Sequence, residues 1–225
     1  MATQALASAS PPIGRTFGPP PGVFAAVSAG LFVAGLLASI AVAGGAVFPS
    51  PFGDPAAALA YFTDHADAVR IGATLQFASV IPASLFVALT VLRLRQLGTL
   101  ALIGGVLANA ALLMSAVMTW VLTVPATVEN PALVRAVHTL AFLAGGPANV
   151  VPTGLLIAGI AFPLRAVRTW LPRIGLAIAV VALATTATLM RTEVAFLLPI
   201  ARFTGMAWLI AAGFLASNFP ATETE

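Results

Sequence analysis

Arg202, an arginine inside an apolar run, is the residue of this chain whose chemistry most needs explaining. It falls about eight residues into the last hydrophobic segment, roughly 12 Å from that segment's outer end at 1.5 Å per residue. An arginine at the bilayer centre costs about 2.5–3.5 kcal/mol on insertion scales, so such a residue faces the bundle interior or a wet cavity and takes a partner. Pro199 and Gly205, three residues to either side, loosen the backbone there. Two readings follow. Arg202 either locks its helix in place through carbonyls or an acid, or it holds a ligand.

A second cluster lies in the fourth apolar segment, which reads Ala144-Gly145-Gly146-Pro147-Ala148-Asn149-Val150-Val151-Pro152-Thr153-Gly154. The adjacent glycines Gly145 and Gly146 and two prolines at mid-membrane predict a kinked or broken helix. The carbonyls freed by such a break need donors. Asn149 could supply one locally, or it could line the floor of a site of the kind that discontinuous helices build in transporters. Upstream, His138 follows Arg135 by three residues and shares its helical face. Arg70 and Arg135 open their helices on the same side; Arg202 and Arg135 would attract an anionic group, and His138 could donate or shuttle a proton. His65 stands in Asp64-His65-Ala66-Asp67. No spacing of these histidines and acids matches a metal signature, so neither a metal nor another cofactor is expected. His138 is expected to make a buried hydrogen bond. The loop acids are expected to be solvated or paired with Arg70 and Arg191.

Absences narrow the chemistry further. All ten basic residues are arginine, and the chain has no cysteine and no lysine. Disulfide exchange, thiolate metal sites and Fe–S clusters are excluded. So are retinal and pyridoxal Schiff bases and a phosphate-loop lysine. No G-x-S-x-G, H-E-x-x-H or G-x-G-x-x-G pattern occurs. The sequence pI of about 11.1 comes from a small arginine excess over few acids, with the arginines mostly at helix ends, and does not indicate nucleic acid.

The elements that carry these residues are set by composition. The 225 residues are 60% hydrophobic and 8% charged, with mean hydropathy +1.04, against roughly 25% charged in a soluble domain. The apolar runs exceed the ~18 residues that mark a bilayer span. Six spans are predicted: Val23–Phe48, Ala68–Leu92, Leu97–Val124, Ala132–Leu164, Ile174–Met190 and Val194–Ser217. The fold class is thus all-α, a six-helix transmembrane bundle over residues 23–217. Residues 1–22 form a Pro/Ser/Ala-rich tail and residues 218–225 a short acidic one. The first apolar run outlasts a signal peptide's core of about 7–15 residues, so it reads as a retained span. Asp54-Pro55 and Asn130-Pro131 each set an N-cap residue before a proline suited to the first helical position. The first pair opens a short interfacial helix, Ala56–Phe62, whose Tyr61 and Phe62 suit the headgroup layer. Arg15, Arg93, Arg95, Arg165, Arg168 and Arg173 fall on one side, and the acids of the loops on the other. The positive-inside rule puts the first set, and both termini, in the cytoplasm. The Ala-rich, Lys-free usage suggests a high-GC bacterium, hence its cytoplasmic membrane.

Two patterns concern packing. Ala26, Gly30, Ala34 and Ala38 form a small-xxx-small seam on the first span, suited to an internal or a dimer contact. The motif R-x3-T-L-x-F-x4-P-A occurs twice, from Arg70 and from Arg135, so the first and second helical hairpins read as a duplication or as a chance echo in an Ala/Leu-rich chain.

With its six spans, the run Asp54–Phe62, the Arg70 and Arg135 helix starts, G-G-P-x-x-x-V-P (Gly145–Pro152) and L-P-x-x-R-F-x-G (Leu198–Gly205), the chain resembles an uncharacterised bacterial family. That family consists of small six-helix integral membrane proteins, grouped as a domain of unknown function. The resemblance covers nearly everything after residue 22 and implies the fold, with no activity and no functional residues.

The expectation is therefore a membrane protein that binds a small molecule or lipid in an outward-facing polar site among spans two, four and six. Arg202, Arg135, Arg70 and His138 would surround the ligand, with Asn149 beneath. A structural or accessory subunit is the alternative, and a homo-oligomer is left open. An intramembrane lipid-modifying enzyme comes third, and would need His138 beside Asp64, Asp67 or Glu193.

Overall fold

A computed structural model describes residues 19–94, 98–165 and 169–215. Among the described residues there is no strand, and six helical segments are long and apolar enough to cross a membrane. These are α1 (Pro21–Val42), α3 (Ala66–Leu94), α4 (Thr99–Val121), the pair α6 (Pro131–Gly145) and α7 (Pro147–Leu164), α8 (Trp170–Ala184) with a following 3-10 turn, and α9 (Leu197–Leu215) after another. Short helices α2 (Pro55–Asp64) and α5 (Pro125–Val128) cover the end of the bundle where α1 finishes. Of the arginines used for orientation, Arg15, Arg95 and Arg168 lie outside the described residues, as do the last ten residues.

Bilayer hydrocarbon is the solvent of this fold. Leu92, Val47, Val180 and Met190 are each more than 60% exposed, which only a lipid environment tolerates over so much surface. The chain is a multi-pass membrane protein. Where helices meet, small residues let backbones approach. Gly104 and Gly159 set α4 against α7, and Gly175 takes the Trp208 ring between α8 and α9.

Local sequence explains the helix edges. Asp54 accepts a hydrogen bond from the Ala56 amide at 2.9 Å, and Asn130 accepts from Ala132 and Leu133 at 3.1 and 3.2 Å, each before a proline at the first helical position. Gly44 and Gly45 end the first span with φ of 64° and 94°, the left-handed region glycine enters without steric cost. At residue 185 the fifth span tightens into a 3-10 turn, where Thr185 and Thr186 donate back to the Ala182 and Leu183 carbonyls at 2.6 and 2.7 Å.

The fourth span breaks at Gly146 (φ −86°, ψ −109°). Pro147 has no N–H to continue the α6 ladder, and the two glycines remove the side chains that would resist the turn. The sequence echo has the same local structure at both starts, where Thr74 and Thr139 donate to the Arg70 and Arg135 carbonyls at 2.8 Å. It diverges at its proline, since Pro82 stays inside a continuous α3 whereas Pro147 begins a new helix.

Two packing readings are refined. The Tyr61 and Phe62 side chains pack against protein and are not presented to lipid headgroups. They are 8% and 0% exposed, in an apolar cluster with Val69, Leu122 and Val134, because α2 folds back onto the bundle end. Burial raises the Tyr61 phenol above its usual pKa. Of the internal and dimer contacts that suit the first span's seam, the internal one is not made at Gly30 and Ala34, which face outward, with no atom within 4 Å of a Cβ at Gly30. Helix α1 instead meets α3 one residue further round, through Gly35 and Ser39 against Gly72. Ser28 adds a 2.9 Å hydrogen bond to the Ser79 carbonyl on that side.

Candidate functional site

Helices α1, α3, α4, α7 and α9 pack in a ring, each touching the next and α9 closing on α1, while α8 lies outside against α7 and α9. All five line one cavity of about 90 Å³ at the centre of the bundle. Its walls are largely alanine and branched aliphatic side chains, and its polar boundary is formed by Ser28, Asn109, Asn149, Thr153 and Arg202.

Arg202 reaches this space from α9. Its Nη2 donates to the carbonyl of Gly145, the last residue of α6, and to Asn149 Oδ1 at 3.1 Å in the first turn of α7. The guanidinium also lies over the Phe32 ring of α1, 5.0 Å from its centroid. The carbonyls that end a helix have no donor within it, so one arginine satisfies a group the break has freed and pins α9 across it. Asn149 is held from its other side, its Nδ2 donating to the Ala108 carbonyl of α4 at 2.8 Å. Nη1 and Nε of Arg202 make no hydrogen bond among the described residues, and no described carboxylate pairs with it.

The five residues picked out in the sequence thus separate into three places. Arg202 and Asn149 share the cavity. Arg135 and His138 line a different space of about 20 Å³, together with Asp54, which is enough for one water molecule. Arg70 belongs to neither, being exposed and paired with Asp67 at 3.1 Å. An outward site shared by all five is not formed. Arg135 stands about ten residues, roughly 15 Å, from the break along α6. The cavity also runs the other way, into the half where α1 begins, as its lining by Ala25 and Ser28 on α1 and Phe86 and Val87 on α3 shows.

His138 is 3% exposed, edge-on to Phe48 and Phe62 with centroids 5.6 and 5.0 Å away, and the Pro49 carbonyl lies beside it. The buried hydrogen bond expected of His138 is the one to the Pro49 backbone, while its Nε2 has no partner among the described residues. Aromatic packing holds the ring, because α2 brings Phe62 over it. Asp64, Asp67 and Glu193 do not line its cavity. Among the described residues no cluster of His, Cys, Asp or Glu could hold a metal ion.

Phe32 and Ala108 had no signal in the sequence. A phenylalanine among apolar residues looks like any lipid-facing one, and a backbone carbonyl that accepts a side-chain amide has no residue type to mark it.

No known protein family, curated protein or solved structure matches this chain.

Proposed function

We propose that this protein binds a small anionic molecule in its central cavity, with Arg202 as the counter-charge and Asn149 as the second polar contact. One observation carries the reading: a guanidinium at mid-bundle borders open space and has no carboxylate partner among the described residues. Two neutral oxygens and an aromatic face offset part of the cost of burying that charge, and an anion would supply the rest. The first turn of α7 borders the same cavity through Asn149 and Val150, so the positive end of a helix dipole adds to the field there.

Native mass spectrometry of the detergent-purified protein, wild type beside Arg202→Ala and Arg202→Lys, tests this. A bound mass is expected on the wild type, lost in the alanine variant and at least partly kept by lysine. If the adduct persists in folded Arg202→Ala, the assignment is wrong. The second reading, a structural or accessory subunit, is favoured by the bonds from Arg202 to Gly145 and Asn149, which staple α9 to the helix break. It expects no adduct in any form and a protein partner that stays through purification.

We read the membrane as a bacterial cytoplasmic membrane, with the end bearing Arg93, Arg165 and Arg173 inside by the positive-inside rule. The absence of cysteine makes a test direct. Glu129→Cys and Thr169→Cys put single thiols at exposed positions on opposite ends. In intact cells a membrane-impermeant maleimide is expected to label Glu129→Cys alone, and the reverse pattern would invert the topology.

A further inference from the structure

The geometry points to a short-chain monocarboxylate of about two to four carbons as the ligand, its carboxylate on Arg202 and its alkyl end among the cavity alanines. This inference rests on the anion-binding role proposed above and narrows it to a chemical class.

Three observations set the class. Charge comes first. The cavity presents one cation and no described acid. A monoanion neutralises that charge, whereas a dicarboxylate or a phosphate monoester would leave a second negative charge among alanine and aliphatic walls, where an unpaired ion is severely penalised. Of the five guanidinium donors, Nη2 is committed to Gly145 and Asn149, which leaves the Nη1 and Nε hydrogens for charge-assisted bonds to a carboxylate.

Size comes second. Drug-sized ligands fill pockets of about 300–1,000 Å³, and an apolar cavity of about 150 Å³ takes benzene, with six heavy atoms. The cavity here is about 90 Å³. A carboxylate with one to three further carbons fills it. A phospholipid headgroup does not, and a long acyl chain exceeds its volume.

Polarity is the third. Away from Arg202 and Asn149 the wall is mostly aliphatic, with Ala25, Ala29, Ala83 and Leu209 interrupted by Ser28, Asn109 and Thr153. Each of these polar groups already donates elsewhere, Ser28 to the Ser79 carbonyl at 2.9 Å, Thr153 to the Asn149 carbonyl at 2.8 Å and the Asn109 amide to Ser84 Oγ at 3.1 Å. An alkyl end fits this surface better than a hydroxyl or a second acid.

The test is calorimetric titration of the full-length protein in a non-ionic detergent, with sodium acetate, propionate, butyrate, octanoate, succinate and phosphate at matched ionic strength. Affinity is expected to rise about fourfold per methylene from acetate to butyrate. It is then expected to fall at least tenfold for octanoate, succinate and phosphate. Ala83→Leu, which shortens the cavity, is expected to weaken butyrate more than tenfold and acetate far less. Tightest binding by octanoate would make the ligand a fatty acid from the bilayer and overturn the short-chain assignment. Tightest binding by succinate or phosphate, or equal losses for butyrate and acetate in Ala83→Leu, would overturn the monocarboxylate while leaving an anion site at Arg202. Binding of none of these anions would overturn both.

Discussion

Gly104→Leu is expected to lower the melting temperature of the detergent-solubilised protein by about 10 °C or to prevent assembly, whereas Gly30→Leu shifts it by no more than about 2 °C. Both glycines lie inside long apolar helices, and only their surroundings differ. A Cβ at Gly104 would collide with the Leu156 amide nitrogen and stand 2.7 Å from the Pro152 carbonyl oxygen. Those are backbone atoms of α7 and cannot rotate aside, so the two helices must separate. Overpacking a core costs typically 1–3 kcal/mol, occasionally more, and each kcal/mol is worth about 2–4 °C in a protein this long. Membrane helices lack a hydrophobic drive to associate, so close van der Waals packing at such seams is much of what holds them. Gly159 meets Ala101 across the same interface, and Gly159→Leu is expected to behave like Gly104→Leu. At Gly30 there is nothing within 4 Å, and the better helix propensity of leucine acts alone. The measurement is the temperature at which the monodisperse chromatographic peak is half lost. Equal losses at Gly30 and Gly104 would show that the α4–α7 seam is not what holds the bundle.

Asn149→Asp is expected to weaken anion binding at least 100-fold while the melting temperature stays within a few degrees of wild type. The substitution is nearly isosteric. It puts a carboxylate where Asn149 Oδ1 now accepts from Arg202 at 3.1 Å. Opposite charges at such separations attract by about 4 kcal/mol at an effective dielectric of 20, and the new carboxylate takes the place of the ligand's. Against this gain, the Asn149 bond to the Ala108 carbonyl is lost, since an ionised aspartate has no hydrogen to donate. That bond is worth about 1 kcal/mol net, more if the carbonyl is left unsatisfied, so the two effects on stability largely offset. Titration of the folded variant with butyrate is the check. Unchanged affinity would remove Arg202 from the anion site, and loss of folding would make Asn149 chiefly a structural link between α4 and α7.

Several features of the site were readable from short stretches of chain. The break between α6 and α7 follows from Gly145-Gly146-Pro147, because a missing N–H and two missing side chains act within one helical turn. The depth of Arg202 follows from residue counting, and so does its need for partners. The partners themselves were not readable. Of the two candidates weighed, carbonyl or acid, the structure supplies a carbonyl, and the residue that bears it is distant in the chain. Asn149 was singled out as a local satisfier of freed carbonyls, yet its amide goes across to α4 and it is the Arg202 guanidinium that reaches Gly145. His138 and Arg135 share a helical face as their spacing implies, but that face looks onto α2 and its preceding loop rather than into the bundle.

By itself the sequence determined that this is a six-span helical membrane protein, where its helices begin at Asp54-Pro55 and Asn130-Pro131, and where the fourth span breaks. Each of these depends on hydrocarbon length, capping or proline chemistry, which act between residues close in the chain. Only the tertiary structure decided that Arg202 meets Gly145 and Phe32 and shares one cavity with Asn149, that Arg70 and Arg135 stay apart from it, and that Gly35 rather than Gly30 faces the neighbouring helix. The physical reason is the solvent. In water an apolar stripe marks the inner face of a helix, but in a bilayer both the lipid-facing and the buried faces are apolar. Helix rotation is then set by contacts between residues far apart in the chain.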